Sequence, residues 1–202
     1  MKYYAIDPKD TRYDNYVLFK DDADERLVVR DSYRHLQCRQ CRKIDETAAL
    51  ELPLESDLKM SGPFEMHETH DGIYYCNARV RDIFDDRGIS GVRFVQLPGD
   101  HTHSLMLPTV QSPVDRSVPG YEFVPPQCSV CGRFSEVYGF ARLSALTVPE
   151  DPLTVFVPEI WLEDSRSRIT TLLISENVMS ILKAERISGI AFSELAQSWP
   201  NP

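Results

Sequence analysis

The sequence predicts an α+β fold of two similar lobes. Three observations carry this: a repeated segment, a Cys-x-x-Cys pair upstream of each copy, and a proline-rich stretch between the halves. Without gaps, residues 74–97 (YYCNARVRDIFDDRGISGVRFVQL) align on 172–195 (LLISENVMSILKAERISGIAFSEL). Val80/Val178, Ile83/Ile181, Ile89/Ile187, Ser90/Ser188, Gly91/Gly189, Phe94/Phe192 and Leu97/Leu195 are identical. The repeats are offset by 98 residues and the pairs Cys38/Cys41 and Cys128/Cys131 by 90, so each half carries one pair and then one copy. This order predicts an internal duplication of β-α-β units plus extra strands. The expected division is an N-terminal lobe over 1–107, a linker over 108–126 and a C-terminal lobe over 127–202, together forming one integrated domain.

In the first 37 residues, Tyr3-Tyr4, Val17-Leu18-Phe19 and Leu27-Val28-Val29 read as short strands, with an acidic turn at Asp21, Asp22, Asp24 and Glu25. Residues 47–58 fit either a short helix through TAALEL or a strand ended at Pro53. In each repeat a short apolar strand (73–76, 171–174) meets an N-cap candidate, Asn77 or Ser175. Val80, Ile83 and Phe84 then fall at i, i+3 and i+4, as do Val178, Ile181 and Leu182, which places one apolar stripe against a sheet. Ile-Ser-Gly ends each helix, and an alternating strand resumes at Val92 and Ile190. Gly91 and Gly189 are expected to supply a positive φ or a tight backbone approach. Pro108, Pro113, Pro119, Pro125 and Pro126 exclude a helix between the halves, and three prolines over 148–158 leave only edge strands or loops there. Trp161 is expected in the core.

The chain has 202 residues, a net charge of -9 and a pI near 5.0, which argues against nucleic-acid binding and suits a basic partner. No run of about 18 apolar residues predicts a membrane span, and MKYYAIDPKD lacks the apolar stretch of a secretion signal. A cytoplasmic protein is expected. In a reducing compartment thiols favour metal ligation over disulfides. Two cysteines spaced by two residues can present both sulfurs to one ion from a tight turn, and two such pairs complete a tetrahedral zinc site with no position left for substrate. The 86 residues between Cys41 and Cys128 exceed the spacing of a compact zinc ribbon, and the duplication accounts for this if each half supplies one knuckle. Cys38, Cys41, Cys128 and Cys131 are therefore the candidate ligands of one structural Zn2+. Reduced free thiols and a redox disulfide are the competing readings. Gly132 relieves the second knuckle, whereas Arg42 stands at the matching place in the first. Cys76, matched by Ile174, reads as a core thiol.

His67, His70, His101 and His103 are expected as solvated loop histidines, with a second metal site as the sharper reading, and His35 as a substitute for one sulfur. Ser56-Asp-Leu-Lys59 matches Ser-x-x-Lys without the motifs that accompany it, and no Gly-x-Ser-x-Gly or phosphate-binding loop is present. No catalytic residue is assigned. Asp21, Asp22, Asp24, Glu25, Asp85 and Asp86 are solvated faces or a patch that captures a cationic partner.

The tyrosine-rich N-terminus, the Cys-x-x-Cys in each half, the PPQCSVCGR segment and the ISGVRF/ISGIAF endings resemble the double-CxxCG motif family. The ending SENVMSILKAERISGIAFSEL is also similar to the C-terminus of a broader set of immunity proteins of polymorphic, contact-dependent toxin systems. The first pair departs from the family pattern at Arg42. The resemblance implies a non-enzymatic cytosolic protein that binds and neutralises a cognate toxin, with Cys38, Cys41, Cys128 and Cys131 as zinc ligands. The alternative is a zinc-knuckle regulatory or nucleic-acid-binding module using Arg39, Arg42, Lys43 and Arg133. Neither reading assigns an oligomeric state.

Overall fold

A computed structural model describes residues 1–9, 11–12, 16–21, 27–118, 120–139, 142–159, 162–163, 168–169 and 171–196. Trp161, Asp22, Asp24 and Glu25 lie outside the described residues. The chain runs β1 (Tyr3–Pro8), β2 (Thr11–Arg12), β3 (Phe19–Asp21), β4 (Leu27–Val29), a 3-10 turn (Asp31–Leu36), α1 (Glu46–Leu50), β5 (Met66–Thr69) and β6 (Tyr74–Asn77). It continues through α2 (Ala78–Asp86), β7 (Val92–Leu97), β8 (Asp100–Pro108), β9 (Gln111–Ser112), β10 (Tyr121–Val124), β11 (Glu136–Gly139) and a second 3-10 turn (Leu143–Ala145). The last elements are β12 (Val157–Pro158), β13 (Leu162–Glu163), β14 (Arg168–Ile169), β15 (Leu173–Ser175), α3 (Glu176–Ala184) and β16 (Ile190–Glu194). The fold is mixed α+β.

Local chemistry sets the helix starts. The Asn77 side chain accepts from Val80 N at the head of α2, and Ser175 Oγ accepts from Asn177 N and Val178 N at the head of α3. Asp45 caps α1 in the same way, which decides 47–58 in favour of a helix, ended before Pro53. Val80, Ile83 and Phe84 are buried on α2. On α3, Met179 joins Val178 and Leu182 inside while Ile181 is half-buried, so the apolar stripe is turned by about one residue from the expected position.

Each repeat forms a split unit. β6 and β7 both pair antiparallel with β8, and β15 and β16 both pair antiparallel with β1. The two strands joined by each helix are therefore parallel and separated by one strand. In the first unit that strand follows its helix, whereas in the second it is the start of the chain. β1 thus falls within the expected 1–107 part but is hydrogen-bonded between strands of the 127–202 part, because its fully buried Ile6 completes their sheet. The largest buried cluster likewise mixes the halves, joining Met66, Tyr74 and Phe84 to Val155, Ile174 and Val178.

The Ile-Ser-Gly turns lock this arrangement reciprocally. Ser90 N bonds Leu153 O, and Val155 N bonds Ser90 O, so the first turn is clasped by the second half. Met66 N bonds Ser188 O, and the Glu65 carboxylate accepts from Ser188 N and Oγ, so the second turn is clasped by the first half. Arg79 adds an ion pair to Glu65 at 2.6 Å and donates to Glu185 O. Gly91 and Gly189 meet both expected requirements: each has positive φ, and a Cβ would collide with the carbonyl oxygen of Val155 or of Met66. Gly88 also has positive φ but faces open space.

Gly91→Ala and Gly189→Ala should each cost about 2–4 kcal/mol in a denaturant midpoint, and Gly88→Ala only about 1 kcal/mol, since strain acts there without collision. Burial raises the Glu65 pKa, but bonds from Ser188 and Arg79 outweigh it and leave the group lowered. Its stabilisation is therefore present above the unfolded glutamate pKa of about 4.3 and is lost as pH falls through the lowered folded value. The penalty of Glu65→Gln, about 1–2 kcal/mol at neutral pH, should shrink in strong acid.

Candidate metal centre

Both cysteine pairs sit in the same short knuckle. In the first, Cys38 N bonds Lys43 O at 2.8 Å and Arg42 N bonds Cys38 O at 2.9 Å. In the second, Cys128 N bonds Arg133 O at 2.7 Å and Gly132 N bonds Cys128 O at 2.8 Å. The residue before each pair closes the loop: Gln37 Nε2 donates to Arg42 O at 3.0 Å, and Gln127 Nε2 to Gly132 O at 2.8 Å. The turn requires a left-handed residue after the second cysteine. Gly132 takes it at φ 73° and Arg42 at φ 65°, so the first knuckle bears a strain that the second avoids.

The knuckles face each other. Cys38 Sγ lies 3.7 Å from Cys128 Sγ and Cys41 Sγ 3.5 Å from Cys131 Sγ, and all four sulfurs lie within 4.8 Å of one another. These separations exceed a disulfide bond of about 2.05 Å. They bracket the edge of roughly 3.8 Å that follows from four metal–sulfur bonds of about 2.3 Å in a tetrahedron. Among the described residues this is the one group of three or more His, Cys, Asp or Glu side chains placed to hold a metal ion.

The surroundings of the sulfurs are unequal. Amide N–H groups of Cys41 and Gln40 lower the Cys38 thiol to about 6, and those of Cys131 and Val130 lower Cys128. Desolvation of the sulfur, then the neighbouring thiols, push Cys131 up to about 12. Four sulfurs this close cannot all ionise unless positive charge offsets their repulsion, and a divalent ion supplies it.

Residues just past each knuckle cross to the other half. Lys43 Nζ donates to Phe134 O at 2.9 Å and Ser135 O at 2.6 Å. Reciprocally, Arg133 Nη1 donates to Ile44 O and forms an ion pair with the buried Glu46 at 3.0 Å. Ser129 Oγ bonds Gln40 Oε1 across the tips. The alternative reading places Lys43 and Arg133, with Arg39 and Arg42, on a regulatory or nucleic-acid-binding surface. Lys43 is buried, the Arg133 side chain is 8% exposed, and both are engaged in these bonds, so of that set only Arg39 and Arg42 are exposed. The roles of Gln37 and Gln127 went unread, although Gln-Cys-x-x-Cys is shared by both halves.

The histidines do not form a second centre. His67, expected in solvent, is a buried residue of β5 whose ring stacks on Tyr75 at 5.1 Å. The alternation of β5 turns it inward, a consequence of a strand where a loop was expected. His70 packs edge-on against Tyr16. His103 Nδ1 lies 2.7 Å from Asp100 Oδ2, while His101 is exposed. His35 sits exposed in the first 3-10 turn, outside the sulfur cluster. Cys76 is buried, and desolvation pushes its thiol up to about 12. Asp85 and Asp86 are exposed on α2, and Asp21 ends β3. No helix among the described residues is long and apolar enough to cross a membrane. No protein-family model matches the chain, and no curated protein sequence matches it.

Arg42→Gly should raise stability by about 1 kcal/mol by removing left-handed strain without touching a sulfur. Glu46→Ala should lower it by about 3 kcal/mol, since Arg133 would keep its burial and lose its counter-charge. Thermal unfolding of the two variants beside the parent checks both.

Proposed function

We propose that this chain is a non-enzymatic immunity protein that binds and neutralises a cognate protein toxin in the cytoplasm, its halves stapled by one structural zinc. The observation that carries the reading is the four-sulfur cluster. An all-thiolate tetrahedron selects a soft or borderline ion such as zinc and, once filled, leaves no coordination site for water or substrate. The metal then serves the shape of a binding surface rather than a reaction. Support for the partner class comes from the resemblance of the knuckle and Ile-Ser-Gly segments to the double-CxxCG immunity proteins, and from a net charge of -9. Such a field attracts a basic surface, as on a nuclease that must grip phosphate. Asp85 and Asp86, with Asp21, Asp22, Asp24 and Glu25, are the acidic groups proposed to meet it. A duplicated ancestry of the two units belongs to the same proposal.

Elemental analysis of protein purified without added metal should return one zinc per chain. Stripping it with a strong chelator should remove folding energy on the order of 10 kcal/mol and collapse the cooperative thermal transition. Fully stable, metal-free protein would end the zinc reading. For the partner, co-expression with the cognate toxin domain, sought first in the neighbouring gene, should restore growth. Asp85→Lys/Asp86→Lys should slow association about tenfold at low salt. Unrescued growth with no complex on a sizing column would end the immunity reading.

A further inference from the structure

The second unit carries a feature opposed to the overall field. A groove of about 380 Å³ lies between the end of α3 and β16, floored by Leu182, Ile187 and Phe192 and rimmed by Lys9, Lys183 and Arg186. Among the described residues none of these three cations has a carboxylate within ion-pair distance, although the chain has 31 acidic residues against 22 basic ones. Lys183 Nζ rests over the Phe192 ring at 5.5 Å. Arg186 holds φ 54° at the position where the first copy has Gly88 at φ 66°, so a side chain is kept on the groove rim at a conformational cost that glycine would remove.

The groove runs along β16, which is an edge strand of its sheet among the described residues. Lys9 N bonds Gly189 O, and Leu195 N bonds Tyr3 O. Antiparallel alternation then turns the N–H and C=O groups of Ile190, Phe192 and Glu194 away from β1. No described residue bonds them. Just beyond, Leu143 N bonds Ala196 O at 3.2 Å, so the same edge already accepts a backbone partner where the chain provides one.

We infer that the β16 edge and this groove form a docking site for an extended, acidic–apolar segment of a partner protein, added as a strand. The partner's main chain would pair with Ile190, Phe192 and Glu194. Its apolar side chains would enter over Leu182 and Ile187, and its carboxylates would meet Lys9, Lys183 and Arg186. The site goes beyond the immunity reading, since it does not require the partner to be a toxin.

The test is an NMR titration of the 202-residue chain with a capped peptide Val-Thr-Glu-Thr-Val-Thr-Glu-Thr, whose valines and glutamates share one face of a strand. The amides of Ile190, Phe192 and Glu194 should shift saturably. Glu194→Pro, which removes an outward N–H, should abolish binding, while Glu194→Ala retains it. Arg186→Gly should melt higher than the parent yet bind at least fivefold more weakly, which separates loss of the site from loss of folding. Four results would overturn the inference: no saturable shift, equal shifts with free glutamate or an RNA oligonucleotide, binding that survives N-methylation of every peptide bond, or unchanged affinity in Glu194→Pro.

Discussion

Two cysteine knuckles 90 residues apart place four sulfurs within 4.8 Å, and the rest of the architecture is arranged so that this encounter can occur. Neither knuckle alone offers more than two ligands, so any ion held here is held by both halves at once. The neighbouring contacts obey the same reciprocity. Lys43 reaches the backbone after the second knuckle and Arg133 reaches the backbone after the first, each filling acceptors that burial would otherwise leave bare.

Farther from the sulfurs the halves grip one another a second time. Each Ile-Ser-Gly turn is received by a segment of the opposite half, and each glycine lies so close to a carbonyl that no side chain fits. β1 inserted between β15 and β16 makes a third link. These three connections, and a largest core cluster drawn from both halves, tie the two parts of the chain together. The two units are not equal, however. The left-handed position after the cysteines is Gly132 in one and Arg42 in the other, while the one after the helix is Gly88 and Arg186. Each half therefore carries one arginine in a conformation that glycine adopts freely, and both arginines are exposed.

Two electrostatic characters stand side by side in the described residues. The chain carries a net charge of -9, and Asp85 and Asp86 are exposed on α2. One groove beside β16 is positive over an apolar floor. A binding protein gains from such contrast, because long-range charge governs the encounter while backbone pairing and buried apolar contact govern residence. Four thiolates around one ion would leave no coordination position free.

Much of this was legible in the chain itself. The caps at Asn77 and Ser175, the inward face of α2, the special backbone at Gly91 and Gly189 and the grouping of the four cysteines all follow from local spacing and residue chemistry, whereas the α3 face is turned by about one residue from its expected position. Long-range pairing was not legible. The Tyr3-Tyr4 pair marks a short strand but carries nothing that names β15 and β16 as its neighbours. Likewise, His67 reads as a polar loop residue until the adjacent Tyr75 covers it. Lys43 and Arg133 read as a basic surface until the two knuckles meet and draw them inward. Residue type and spacing determined which groups could serve as ligands, caps and turns. Only the tertiary structure decided which of them come together, because hydrogen-bond partners and burial are supplied by segments distant in sequence, whose positions depend on the packing of the whole core.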